Sequence, residues 1–220
     1  MKRLVIAPHI DDDVLGCGGI LDAGTVTFYC GVDDHHIVSR LERLDEARAV
    51  AARTGGRFYW PSLEASVLDQ VVALYETHRL VNNYQLPGLI ADFERIINAE
   101  QPDEVYLPWP SYNQDHRAVY DAALVALRPH DANHFVRRVL AYEGSQVNYW
   151  DWALPGLVFH PTYFMPIDIE EKLARYACMP SQVRDFRSPE ALRALALLRG
   201  GEANVPAAEA FVILRWVGER

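Results

Sequence analysis

Within five residues, His9-Ile10-Asp11-Asp12-Asp13, the chain sets one imidazole and three carboxylates directly after an apolar run, Leu4-Val5-Ile6-Ala7-Pro8. Groups crowded this way repel one another and solvate poorly, so such a turn holds a cation or moves protons. About a hundred residues on, Asn113-Gln114-Asp115-His116-Arg117 supplies a second imidazole and another carboxylate in a similar setting. Two histidines and one aspartate suffice as protein ligands for a catalytic zinc that keeps one position open for water.

Each feature also has an ordinary reading. One Asp ahead of a helix is a common N-cap, but three preceded by His exceed what capping needs. Asp115-His116 alone is a polar helix start; it gains meaning beside the first turn, because a zinc site needs a third protein ligand. Asp115 is alternatively a carboxylate that orients a ligand imidazole. His35 and His36, after Asp33-Asp34, form a rival cluster without a partner at defined spacing and read as loop residues. His78, His130 and His134 read as surface or loop histidines, whereas His160, in an aromatic-rich stretch, is a candidate to face the site. Tyr149-Trp150-Asp151-Trp152 reads as packing, with a sugar-stacking platform as the alternative. Residues 42–48 alternate in charge as a solvated helix face does, with Arg43 or Glu46 the members that could reach the pocket.

The elements that must position these groups follow from periodicity. Apolar, β-branched and aromatic runs predict strands over residues 2–8, 25–30, 57–60, 104–108, 136–143 and 210–217. Helical spacing predicts helices over residues 16–23, 39–54, 86–100, 117–127 and 189–198, the second stopping at Gly55-Gly56. Alternating strands and helices imply an α/β, Rossmann-like, three-layer, doubly wound and mostly parallel sheet. In such sheets ligands bind beyond the carboxyl ends of the strands, where strand order reverses. With the common 3-2-1-4 order, the loop after the first strand and the loop after the fourth face each other there, with His116 near a helix N-terminus. Gly16, Gly18 and Gly19 are expected to allow close packing of helix on sheet rather than to cradle phosphate, which stacked carboxylates would repel.

Composition narrows the function classes. The 220 residues are read as a single domain spanning residues 1–220, and half are hydrophobic, enough for a sizeable core. With a formal charge of -9 and lysine only at Lys2 and Lys172, nucleic acid is not expected as a partner. Cys17, Cys30 and Cys178 are few and odd in number, which suits reduced thiols in a cytoplasmic protein. The start of the chain has no signal-peptide pattern and no apolar run approaches the ~20 residues of a membrane span, so no membrane insertion is expected.

On these residues the chain resembles the LmbE-like, or PIG-L, family of zinc-dependent N-deacetylases. The family's first motif, Pro-His-Pro-Asp-Asp-Glu, is matched by Pro8-His9-Ile10-Asp11-Asp12-Asp13, departing at Ile10 and Asp13, and Leu15-Gly16-Cys17-Gly18-Gly19 is similar as well. The second motif, His-Pro-Asp-His, is matched by Asn113-Gln114-Asp115-His116, departing at Asn113 and Gln114. Ser181-Gln182, Arg187-Ser188-Pro189-Glu190-Ala191-Leu192 and Ala208-Glu209-Ala210-Phe211 extend the similarity over essentially the whole chain. The resemblance implies Zn2+ held by His9, Asp12 and His116, Asp11 as general base, and Asn113 as a donor to the oxyanion. It also implies an N-acetylated sugar or sugar conjugate as the small-molecule substrate and, since family members are often oligomeric, room for a homo-oligomer. Asn113 cannot supply a proton near neutral pH, so the leaving amine is protonated by Asp11, another residue such as His160, or water. Residues 62–85 are a candidate specificity loop.

Three other readings compete. A two-His-one-carboxylate iron(II) oxygenase would use the same residues, but the enzymes with His-X-Asp spacing resemble jelly rolls, not parallel α/β sheets. A magnesium-dependent phosphohydrolase would need a suitably placed downstream lysine, and only Lys172 is present. A non-catalytic metal- or sugar-binding module on the same fold is argued against by the intact Asp11.

Overall fold

The computed structural model describes residues 1–31, 38–59, 86–144 and 158–218. Strands β1 (Arg3–Ala7), β2 (Thr25–Tyr29), β3 (Arg57–Tyr59), β4 (Glu104–Pro108), β5 (Arg138–Tyr142), β6 (Tyr163–Pro166) and β7 (Ala208–Trp216) form one sheet in the order β3-β2-β1-β4-β5-β7-β6. The first five are parallel, and β7 runs antiparallel to both β5 and β6. The mostly parallel sheet and the reversal between β1 and β4 agree with expectation.

Helices α1 (Asp12–Cys17), α2 (Arg40–Thr54), α3 (Leu86–Glu100), α4 (Gln114–Ala126), α5 (Ile169–Tyr176) and α6 (Pro189–Ala203) cover the two faces. Because side chains alternate along a strand, Val5 and Ala7 of β1 face Val14, Leu15, Leu44, Ala47 and Leu192 on one side. Leu4 and Ile6 face Leu89, Phe93, Val119 and Ala122 on the other. Leu4, Val5 and Ile6 are fully buried, each contributing roughly 1.5–3 kcal/mol. This burial anchors the end of β1 against the repulsion of the acidic turn that follows it.

Several elements differ from the sequence expectation. The helix expected over residues 16–23 begins instead at Asp12, so Asp12 and Asp13 occupy its first turn, where carboxylates complement the positive end of the helix dipole. Strand β6 and helix α5 have no counterpart among the expected elements. β6 has only four residues, is half-exposed and ends in a proline, and α5 is a short helix capped by Asp168. Helix α4 also starts three residues before the expected 117, with Asn113 as its N-cap. Among the described residues no helix is long and apolar enough to cross a membrane.

Candidate metal centre

β1 delivers the first group of site residues. After Ala7 the chain turns through Pro8-His9-Ile10, and the first helical bond of α1 runs from Leu15 N–H to Asp11 O at 2.8 Å. A six-residue helix is too short to persist alone, so its neighbours hold it. A Cβ on Gly16 would lie 2.2 Å from the Tyr142 ring, so only glycine lets α1 rest on β5. At the other end, Lys172 Nζ donates to Leu15 O at 2.7 Å and Arg175 Nη1 to Gly18 O at 2.5 Å, cations placed on C-terminal carbonyls. Glu209 completes the anchor, accepting from Gly19 N–H at 2.8 Å and Lys172 Nζ at 2.7 Å.

β4 delivers the second group. Arg117 Nη1 donates to the carbonyls of Ser111 and Tyr112, and so ties down the loop that leads from Pro108 into α4. Asn113 caps α4, its Oδ1 accepting from Asp115 N–H at 2.8 Å, which leaves the amide –NH2 of the same side chain as a donor. α1 packs on one face of the sheet and α4 on the other, so the two groups meet above the sheet edge at the switch in strand order.

There His9, Asp12 and His116 each offer an atom within 4.8 Å of the others. Asp12 Oδ2 is the hub, 3.2 Å from His9 Nδ1 and 3.3 Å from His116 Nε2, and it also accepts from His9 N–H at 3.0 Å. Asp115 supplies no atom to this group; its Oδ2 lies 3.0 Å from His9 Nε2. Of the two readings of Asp115, the structure therefore supports a carboxylate that orients His9.

The electrostatics follow from this crowding. Burial penalises the Asp12 carboxylate, yet His116 and His9 outweigh it and hold the group well below the usual carboxylate range. Burial likewise opposes charge on His9, but hydrogen bonds to Asp115 and Asp12 raise it to about 10. The next carboxylate, Asp13, points to β2 instead, where burial pushes it up to about 7 although Tyr29 OH donates to it at 2.7 Å.

The donor set fits a divalent ion of borderline softness, two imidazole nitrogens and one carboxylate oxygen. Asp115 can only accept as a carboxylate, so His9 Nε2 carries a proton and Nδ1 is the nitrogen free for a ligand bond. Nδ1 faces a second carboxylate, which requires either another proton or a cation between them. His116 Nδ1 and Asp115 Oδ1 are moreover buried without a hydrogen-bond partner among the described residues, a state that costs about 1–3 kcal/mol per group unless water or an ion relieves it.

Asp11 stands beside the cluster. It is 4% exposed, and Arg187 Nη1 donates to its Oδ2 at 2.6 Å. Arg43 Nη2 lies 3.8 Å from Asp11 Oδ1 and donates to Ile10 O at 2.8 Å. Behind them, Gln182 Oε1 lies 3.3 Å from Arg43 and 3.4 Å from Arg187, and Ser181 is held by Glu46 at 2.8 and 2.7 Å. Arg43 and Glu46 thus belong to the support of the site rather than to a solvated face. For Arg187 the sequence offers only its place in a stretch similar to the family, with no cue to its partner.

His160 is exposed, and none of its described contacts joins the cluster; His130 and His134 hydrogen-bond elsewhere, to Asn133 and Pro102 O. His35, His36, His78, the run Tyr149-Trp150-Asp151-Trp152 and the loop 62–85 lie outside the described residues.

Comparison with solved structures places the architecture. The chain is similar to a conserved protein of Thermus thermophilus, at 22% identity and a TM-score of 0.73, covering 100% of this chain and 97% of that one. It is also similar to the N,N'-diacetylchitobiose deacetylase of Pyrococcus horikoshii, at 23% identity and a TM-score of 0.68, covering 97% and 83% of the two chains. The chain has the fold of that deacetylase. The same fold carries 4-carboxy-2-hydroxymuconate hydratase of Pseudomonas putida, at 19% identity and a TM-score of 0.69 over 100% of this chain and 99% of that one. The deacetylase fold therefore does not by itself decide the reaction. No protein-family model and no curated protein sequence matches the chain.

Proposed function

We propose that the protein is a zinc-dependent N-deacetylase of the LmbE-like family, removing an acetyl group from an amino-sugar substrate. The observation that carries this reading is the convergence of His9, Asp12 and His116 within 4.8 Å, with Asp11 one residue from a ligand. The likeness of the fold to a deacetylase of a diacetylated sugar supports the substrate class. The parallel α/β sheet is the architecture that counts against an iron oxygenase of the jelly-roll kind.

His9, Asp12 and His116 would hold the zinc, which when bound supplies Lewis acidity that acidifies water and polarises an acyl carbonyl. Asp115 fixes the His9 tautomer through Nε2. Asp11 takes a proton from the attacking water as the oxygen bonds to the carbonyl carbon. The Asn113 amide donates a hydrogen bond to the developing oxyanion. Asp11 then returns the proton to the departing nitrogen as the C–N bond breaks, leaving acetate and a free amine. Asn113 cannot make that transfer and His160 is exposed away from the cluster, so of the protein groups considered Asp11 is the shuttle for both halves of the reaction.

The test is metal analysis together with acetate release from a panel of N-acetylated hexosamines and their conjugates, for the parent and Asp11→Asn. The expected result is one metal per chain in both proteins, with turnover lowered ~100–10,000-fold in the variant. Undiminished turnover in Asp11→Asn would remove Asp11 from its role. A parent that hydrates an unsaturated carboxylate but releases no acetate would favour the hydratase chemistry found on the same fold.

A further inference from the structure

Four of the other helices begin alike. Ser39, Asn113, Asp168 and Ser188 each sit at an N-cap with extended backbone, and each side chain accepts from a first-turn N–H. Asp11 departs from this pattern at the head of α1. Its backbone is at φ 153° and ψ -28°, and its carboxylate makes no capping bond, although aspartate is among the best N-cap residues. The conformation is rarely occupied outside glycine and carries strain of about 1–3 kcal/mol. Something must therefore hold Asp11 away from the N–H groups of Asp13 and Val14, its ordinary capping partners.

The structure assigns that task to Arg187: we infer that Arg187 is a positioning residue that keeps Asp11 from collapsing into a helix cap and so leaves it available as a base. The bond from Arg187 Nη1 to Asp11 Oδ2 is 2.6 Å long, with both side chains largely buried. A charge-assisted bond of this kind is roughly twice as strong as a neutral one, so it competes successfully with capping. Arg43 does not duplicate it, because its nearest approach to Asp11 is 3.8 Å. Arg187 is itself fixed from behind: its carbonyl lies 2.8 Å from Tyr176 OH, and Nη2 lies 3.4 Å from Gln182 Oε1. The stretch from Tyr176 to Arg187 therefore acts on the metal turn from 176 residues away in sequence without offering a ligand.

This inference rests on Asp11 being the base of the proposed reaction, and the experiment separates the two. Arg187→Met and Arg187→Lys are compared with the parent, Asp11→Asn and the Asp11→Asn/Arg187→Met double variant. The readouts are metal stoichiometry, kcat and KM for acetate release, and the crystallographic position of Asp11. Arg187→Met is expected to keep its metal and its KM while kcat falls about a hundredfold, the scale of an ångström's misplacement. Arg187→Lys is expected to recover part of that loss, and the double variant to be no slower than Asp11→Asn alone. In the Arg187→Met structure, the Asp11 carboxylate is expected within hydrogen-bonding distance of Asp13 or Val14 N–H. Turnover at the parent rate, losses that multiply in the double variant, or an Asp11 that stays in place would each overturn the inference. If the parent releases no acetate, the deacetylase reading fails while the position of Asp11 still decides the role of Arg187. Should Arg187→Met not fold, Arg187→Lys is read against Asp11→Asn by the same criteria.

Discussion

His9 Nε2 lies 3.0 Å from Asp115 Oδ2, a contact that joins the turn after β1 to the helix after β4 across 106 residues of sequence. It fixes the His9 ring and, in the proposed metal site, leaves Nδ1 as the nitrogen for the ion. Carboxylates behind ligand histidines commonly govern metal affinity by about 10–100-fold. Asp115→Ala is accordingly expected to weaken zinc binding by that factor, measured by competition with a chelating dye. Unchanged affinity would mean that His9 needs no such partner.

The approach of α1 to the sheet depends on Gly16, because a methyl there would overlap the Tyr142 ring. Tyr142 is buried and its hydroxyl donates to Ile6 O at 3.0 Å, so the ring has little freedom to retreat. Gly16→Ala is expected to cost about 1–3 kcal/mol in denaturant unfolding, the usual cost of overpacking, and to weaken metal binding by displacing Asp12. A variant as stable as the parent would show that α1 can lift without consequence.

Glu209 and Lys172 form a buried pair at 2.7 Å that anchors the far end of α1. Burial raises the Glu209 pKa above 4.5; Lys172, Gly19 N–H and Arg175 pull it down without cancelling that effect. The folded chain therefore holds this proton more tightly than the unfolded chain. Its contribution to stability falls as pH rises from about 4.5 through the folded pKa and is constant above. Glu209→Gln should remove that slope, visible in the difference between the two unfolding profiles across this range. Lys172→Met, which leaves the carboxylate buried alone, should cost about 3–5 kcal/mol at neutral pH. Identical pH profiles for parent and Glu209→Gln would refute the assignment.

The sheet and the candidate metal cluster can be read from the chain because both rest on short sequence signals. The five parallel strands announce themselves as short runs of apolar, β-branched or aromatic residues, and the switch between β1 and β4 follows from the usual strand order. That topology brings the turn after β1 and the start of α4 together; the choice of Asp12 among the three carboxylates comes from the family resemblance. The start of α1 cannot be read the same way: its glycines resemble a helix start, whereas the helix begins at Asp12 and ends at Cys17 with only Gly16 inside it, against the Tyr142 ring. β6 is hidden because a short, half-exposed edge strand ending in proline lacks a clear period. Arg43 and Glu46 look like members of a solvated face, since a buried arginine is recognisable only by partners, here Ile10 O and Gln182, that are remote in sequence. Arg187 is concealed for the same reason.

Whether His9, Asp12 and His116 close on one divalent ion is decided by metal stoichiometry. Purified parent protein, dialysed against zinc and washed, is predicted to hold one ion per chain by elemental analysis, while Asp12→Ala and His116→Ala, still folded by circular dichroism, retain almost none. A parent that binds no divalent metal, or variants that bind it as well as the parent, would show that these three side chains do not form a metal site.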